Sequence, residues 1–161
     1  MEKYIQPFID VCKNVFKSFI DVELREGRPF CTETKKIFEW DISAVIGLSG
    51  EAQGAVVISM RNELAIRLVD IITGSKHTSV GTEVDKEVID AIGEISNIIA
   101  GNAKKGLEND FHVNISLPTI VKGNNHLVGW PHFQTRCICI PFSIFDDDSF
   151  TLSIAINSAK G

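Results

Sequence analysis

Between residues 82 and 106 the chain keeps a helical apolar period with no proline, while the segments before and after it alternate apolar and polar residues. A chain with both periods must build one long helix into a fold that also contains sheet. Along that helix Val84, Val88, Ile92, Ile95 and Ile99 fall on one side as a seam to be buried. At about 100° per residue, Asp90, Glu94, Asn97, Gly101 and Lys104 fall within about 80° of one another on the other side. This polar stripe offers a carboxylate, an amide one turn later, and then a glycine that removes bulk beside them. Thr82 with Asp85 three residues on resembles a capping box, and Glu83, Asp85 and Glu87 suit the positive end of the helix dipole. Gly93 and Gly101 each cost about 1 kcal/mol relative to alanine in a helix interior, so something must compensate.

Other elements follow from the same periods. Tyr4, Phe8, Cys12, Val15, Phe16 and Phe19 recur at helical spacing, and Pro7, tolerable in a first turn, places that helix at about residues 6–18. Alternation from Phe38 to Leu48, punctuation by Ser49-Gly50, and the apolar residues 55–60 predict a β-hairpin. Asn62 offers an N-cap and Gly74 a C-cap to a short helix carrying Leu64, Leu68, Ile71 and Ile72, and residues 74–81 read as a loop. Strands are predicted at 113–117, 133–140 and 150–156, separated by turns at Gly123-Asn124-Asn125 and Asp146-Asp147-Asp148. The expected fold is a single α+β domain over residues 1–161. Three helices cover one face of a largely antiparallel sheet of about six strands.

Composition narrows the function. Sixteen basic residues against 21 acidic ones leave a net charge of -5, and the longest basic runs are Lys35-Lys36 and Lys104-Lys105, which argues against a nucleic-acid partner. Apolar runs of a few residues fall far short of the roughly 20 needed for a membrane helix. The first residues lack a basic segment followed by an apolar one, which predicts a cytoplasmic protein. In a reducing compartment Cys12, Cys31, Cys137 and Cys139, without C-x-x-C spacing, read as packing residues.

Several chemistries fail on their residues. A cysteine phosphatase needs arginine at the sixth position after its cysteine, where this chain has Ser18, Ile37, Ser143 or Phe145. The Asp146-Asp147-Asp148 run lacks the further ligands of a calcium loop and reads as a solvated turn. Cys137 and Cys139 share a strand face near His132 but lack a second ligand pair, so no metal site is assigned. Gly101 and Gly106 have P-loop spacing, but Leu107 stands where its lysine must be.

The run Glu94-Ile95-Ser96-Asn97-Ile98-Ile99-Ala100-Gly101-Asn102-Ala103, with Asp90 upstream and Pro118 downstream, closely resembles the signature of the CheC/CheX/FliY phosphatases. The CheX branch fits best. The resemblance extends to the residues 46–50, 54–60 and Leu117-Pro118-Thr119-Ile120-Val121-Lys122-Gly123, hence to most of residues 42–157. It implies a CheC-like fold and removal of phosphate from an aspartate of a phosphorylated CheY-like response regulator. Glu94 matches the glutamate that pairs with the regulator's lysine, and Asn97 the asparagine that orients the attacking water. Asp90 occupies an Asp/Ser position, where it either orients a neighbour or favours the helix start. Gly101 and Lys104 are supporting or partner-contacting positions, and Pro118 a strand-edge or bulge residue. No cofactor of its own is implied, since Mg²⁺ comes with the regulator.

The resemblance further implies a homodimer joined by sheet edges, for which the uncharged alternating segment 150–157 is the expected edge. Related proteins carry the Glu-x-x-Asn signature on two helices. Here the first helix has Asn14, but Val11 replaces the glutamate and Pro7 the upstream Asp/Ser, which predicts a single site. The competing reading is a non-catalytic CheY-binding adaptor or flagellar-switch-type module.

Overall fold

A computed structural model describes residues 2–31, 40–77, 79–80, 83–126, 128 and 137–158. The elements run α1 (Glu2–Ile20), β1 (Arg25–Glu26), β2 (Phe30–Cys31), β3 (Trp40–Gly50), β4 (Ala52–Met60), α2 (Asn62–Thr73), β5 (Ser79–Val80), β6 (Glu83–Val84), α3 (Lys86–Leu107), β7 (Val113–Ile115), β8 (Thr119–His126), β9 (Cys137–Ile144) and β10 (Asp148–Ser158). The class is α+β as expected. The main sheet has eight strands rather than about six, in the order β1-β9-β10-β4-β3-β7, with β2 also on β9 and β8 also on β3. All of its pairs are antiparallel. Two-residue strands such as β1 and β2 carry too few side chains to show a period.

Register explains the core. Ile42, Ala44 and Ile46 lie opposite Met60, Ile58 and Val56, and Leu152 and Ile154 continue the row across β10. Ile42, Val56, Ile58, Met60, Leu152 and Ile154, with Ile140, Phe142 and Phe150, form one cluster with Phe8, Cys12 and Phe16 of α1, Leu64 and Leu68 of α2, and Ile92 and Ile99 of α3. Phe150 stacks between Phe16 and Phe142, with ring centroids at 5.0 and 5.3 Å. The other face is not a plain solvated one. Ser43, Val57, Ser59, Thr151, Ala155, Cys137 and Cys139 on it are buried. The Ser43 hydroxyl shares a 2.7 Å hydrogen bond with that of Ser59 and another, also 2.7 Å, with His126 Nε2. That network is how buried hydroxyls avoid the cost of lost hydration.

Several boundaries differ from the sequence expectation for identifiable reasons. Helix α1 starts before residue 6, so Pro7 lies inside it rather than in its first turn. The ring fits because residue 106 is glycine: a Cβ there would stand 2.6 Å from that of Pro7. Asn62 is the first residue of α2 rather than its cap, and its N–H donates to the Asp41 carboxylate of β3 at 3.0 Å. Gly74 does close α2, at φ 69°, donating its N–H to Asp70. The expected 74–81 loop contains β5, which pairs with β6. The N-cap of α3 is Asp85, whose carboxylate accepts the Glu87 N–H at 3.0 Å. Thr82, the expected cap, lies outside the described residues, as do His132 and residues 133–136 of the expected fourth strand. The strand found there is β9, whose residues 137–140 overlap the expectation. The expected turn at Gly123-Asn124-Asn125 is a bulge inside β8, where three residues oppose the single Asp41 of β3.

Two further expectations fail. Strand β10 is paired on both sides, by β4 and β9, so residues 150–157 are the middle of the sheet and not a dimerising edge. Cys31 is exposed, unlike Cys12, Cys137 and Cys139, and is not a packing residue.

Candidate functional site

The site is built on α3, so what holds α3 matters first. Its buried side is Val88, Ile92, Ile95, Ile99, Ala103 and Leu107, as the period predicted, with Val84 preceding the helix in β6. At its N-terminal turn His77 is a clamp. The imidazole is almost fully buried and donates from Nδ1 to Asp70 of α2 at 2.8 Å and from Nε2 to Glu87 of α3 at 3.0 Å. The His77 N–H donates to the same Asp70 oxygen. The hydrogen bonds to Asp70 and then Glu87 hold the ring's pKa above its ordinary value, favouring the imidazolium. Further along, Gly93 brings β8 close. A Cβ at residue 93 would meet Ile120 Cδ1 at 3.5 Å and Pro118 Cγ at 3.8 Å.

The stripe faces away from the core. Asp90 and Glu94 are exposed, and Asn97, Gly101 and Lys104 are half-buried. Their states differ in a way the sequence could not show. Asp90 is 3.8 Å from Lys86 one turn before it, and Lys104 is 3.7 Å from Glu108, the C-cap of the same helix. Glu94 and Asn97 engage no other side chain or backbone group among the described residues. An unengaged carboxylate and an amide therefore stand one turn apart on a helix fixed at its start and middle. Such a pair can receive a cation and hold a water without first breaking contacts of its own. Among the described residues Gly101 has only Ile115 Cδ1 near, at 3.8 Å from a notional Cβ, so its lack of a side chain leaves open surface rather than resolving a clash.

Asn102 is exposed and satisfied: Nδ2 donates to the Ile98 carbonyl at 3.0 Å and Oδ1 accepts from Lys105 at 3.4 Å. It borders a groove of about 410 Å³ between α1 and α3, lined also by Val11, Asn14, Val15, Ser18, Phe19 and Ile98. The first helix thus brings Asn14 beside α3, with Val11 alongside and no carboxylate. Sequence reasoning missed this groove, the His77 clamp and Leu117, which is 82% exposed between β7 and β8. Of these, Leu117 alone has a signal in the sequence, the proline that follows it.

The thiols lie apart from the stripe. Burial pushes Cys12 up to about 12, so it stays a protonated packing residue. Cys139 is held down to about 7 by hydrogen bonds from Cys137 and then Ser153, against the opposing effect of burial. Among the described residues no three His, Cys, Asp or Glu side chains are grouped to hold a metal ion. No helix among them is long and apolar enough to cross a membrane.

Residues 42–143, which include the whole stripe, match the family described as chemotaxis phosphatase CheX. The chain belongs to the CheX family. CheX-type relatives share the fold over nearly their whole length. The CheY-P phosphatase CheX of Thermotoga maritima is 25% identical over 157 residues, covering 97% of each chain. The CheC-like superfamily protein from Shewanella sp. PV-4 superposes with a TM-score of 0.85 at 26% identity, covering 97% of this chain and 98% of that one. The CheX of the CheX-CheY-BeF3-Mg²⁺ complex from Borrelia burgdorferi superposes at 0.81 and 26% identity, covering 96% and 98%. The CheC-like architecture expected from the motif is therefore the one present.

Proposed function

We propose that this CheX-family chain is a cytoplasmic phosphatase that hydrolyses the aspartyl phosphate of a CheY-like response regulator in chemotaxis signalling, acting through one domain spanning residues 1–161. The Thermotoga relative supports the reaction and the Borrelia complex the partner. The observation that carries the residue assignment is that Glu94 and Asn97 engage no partner among the described residues, while Asp90 and Lys104 of the same stripe are paired one turn away. In this reading Asn97 holds the attacking water in line with the phosphorus. Its neutral amide can accept and donate to water while adding no charge beside an anionic phosphoryl group. Glu94 pairs with a lysine of the regulator and fixes the orientation of the two proteins. Asp90 keeps the start of the stripe acidic, and Gly101 and Lys104 form its far edge against the partner.

Mg²⁺ enters with the regulator. Bound there it would neutralise charge on the phosphoryl oxygens, and this chain supplies positioning. Water placement and orientation are the larger part of what phosphoryl transfer asks of a protein. The protein works as a homodimer. The sheet edge that supports this is β8, which pairs with β3 on one side and leaves its other side open among the described residues. The test is a time course of phosphate loss from a phosphorylated CheY-like regulator with and without the protein. Faster loss supports a phosphatase. Binding without acceleration would make it an adaptor instead.

A further inference from the structure

Leu117 is the most exposed large apolar side chain among the described residues, at 82%, yet the segment that carries it is fixed. Ser116 donates its N–H to the Gly47 carbonyl at 2.9 Å, and its hydroxyl accepts the Gly47 N–H at 2.8 Å and donates to the Leu117 carbonyl at 2.9 Å. Pro118 follows with a fixed φ and stands against α3 at Gly93. Gly93 lies about 40° around the helix from Asn97, on the side away from Glu94. A leucine held in water by a rigid support keeps an unfavourable exposure that a small rotation of a loose loop would relieve.

The other flank of the stripe has the same character. Ile98 lies about 40° around α3 from Glu94, on the side away from Asn97. With Val11, Val15 and Phe19 it lines the groove between α1 and α3, and Phe19 is 52% exposed at its border. The polar pair is thus bracketed by apolar surface on both sides. This is the layout of an interface whose apolar contacts supply affinity while the polar groups do the chemistry.

We infer that the phosphorylated regulator is gripped by two apolar contacts that flank the catalytic stripe, Leu117 beside Asn97 and the Phe19-bordered groove beside Glu94. The inference rests on the phosphatase reading for its partner, and the grip sets affinity rather than rate. Leu117→Ala should raise KM for the phosphorylated regulator at least about fivefold, with kcat within about twofold of wild type. Phe19→Ala should do the same, and the two effects should multiply. Leu117→Met should restore most of the lost affinity, and Ile71→Ala, an exposed apolar truncation on α2, should change nothing. Melting temperature is followed for each variant, and Leu117→Ala, with so little burial to lose, should not move it. Unchanged KM in Leu117→Ala, or a fall in kcat matching its rise in KM, would overturn the inference. If wild type does not accelerate phosphate loss, the phosphatase reading fails by itself. The grip is then decided by titrating the regulator loaded with beryllium fluoride and Mg²⁺. Weaker binding by Leu117→Ala upholds it, and equal binding, or none by wild type, removes it.

Discussion

Replacing Asn97 with alanine should move activity and stability in opposite directions. The side chain is half-buried and engages nothing among the described residues, so its loss opens no core cavity and orphans no partner. Alanine is also the better helix former, by about half a kcal/mol over asparagine in a helix interior, so Asn97→Ala should melt at or slightly above the wild-type temperature. Activity should fall about a hundredfold. One group that places a reactant or steadies a transition state is worth roughly 2.7 kcal/mol of barrier. The assay is release of phosphate from a phosphorylated CheY-like regulator at saturating and at low regulator, beside a thermal melt of the same preparation. Because the amide acts on water rather than on the partner, the loss should sit in kcat with KM close to wild type. A variant that is both less stable and less active would make Asn97 a structural residue. One with near-normal turnover would refute the water-holding role.

Glu94→Gln should weaken the interaction with the regulator and slow turnover together, since it removes the charge paired with the partner's lysine, and the loss should shrink as salt is raised. Identical affinity and rate would take Glu94 out of the site. Asn14→Ala should leave the dephosphorylation rate unchanged, and Val11→Glu should fail to rescue Asn97→Ala, because the groove helix lacks a complete site; a large loss from Asn14→Ala with a normal circular dichroism spectrum would establish a second one. Gly106→Ala should destabilise the protein by pushing its methyl group into Pro7, and a melt equal to wild type would contradict the close approach of α1 and α3. His77 has a folded pKa raised above its ordinary value of 6.5, so its contribution to stability is complete below that value and is lost as pH rises through the folded pKa. The melting-temperature gap between wild type and His77→Gln should therefore be wide at mildly acidic pH and narrow at alkaline pH, and a gap independent of pH would show that the ring acts as packing alone.

How legible the molecule is in its sequence depends on whether a feature is a period or a meeting. The seam and stripe of α3 are periods within one element, and from residue 86 onward both stand where the spacing placed them, while Val84 falls in β6 instead. The hairpin of β3 and β4 was legible for the same reason, with Gly50 at φ 117° at the end of β3. Position in the sheet is a meeting. Residues 150–157 show an uncharged alternation that suits an open edge and a central strand equally, and only the pairing with both β4 and β9 decides between them. Pro7 and Gly106 form a similar pair. Each alone signals a break, and together they make a close helix contact. The Glu94 and Asn97 positions were legible through motif spacing. Their freedom from intramolecular partners among the described residues was not, because it depends on Lys86 and Glu108 taking the neighbouring charges.

That freedom is where stability and function part. A surface carboxylate one turn from a lysine ordinarily gains a few tenths of a kcal/mol from the pair, and α3 takes that gain at Asp90 and Lys104. At Glu94 the residue four positions before it is Asp90 and the one four positions after it is Ile98, so neither can neutralise it. An acidic residue one turn upstream makes Glu94 a better acceptor for a cation from outside, and an apolar one downstream leaves it open to approach. The same reasoning applies to Asn97. Gly93, one turn before it, and Gly101, one turn after it, carry no side chain that could donate to its oxygen or crowd the water it would hold. Each glycine costs the helix about 1 kcal/mol. Gly93 recovers that cost by admitting Pro118 and Ile120, whereas among the described residues Gly101 has Ile115 Cδ1 alone within 4 Å of a notional Cβ. In the proposed function its cost is balanced when the regulator's surface comes to rest on it.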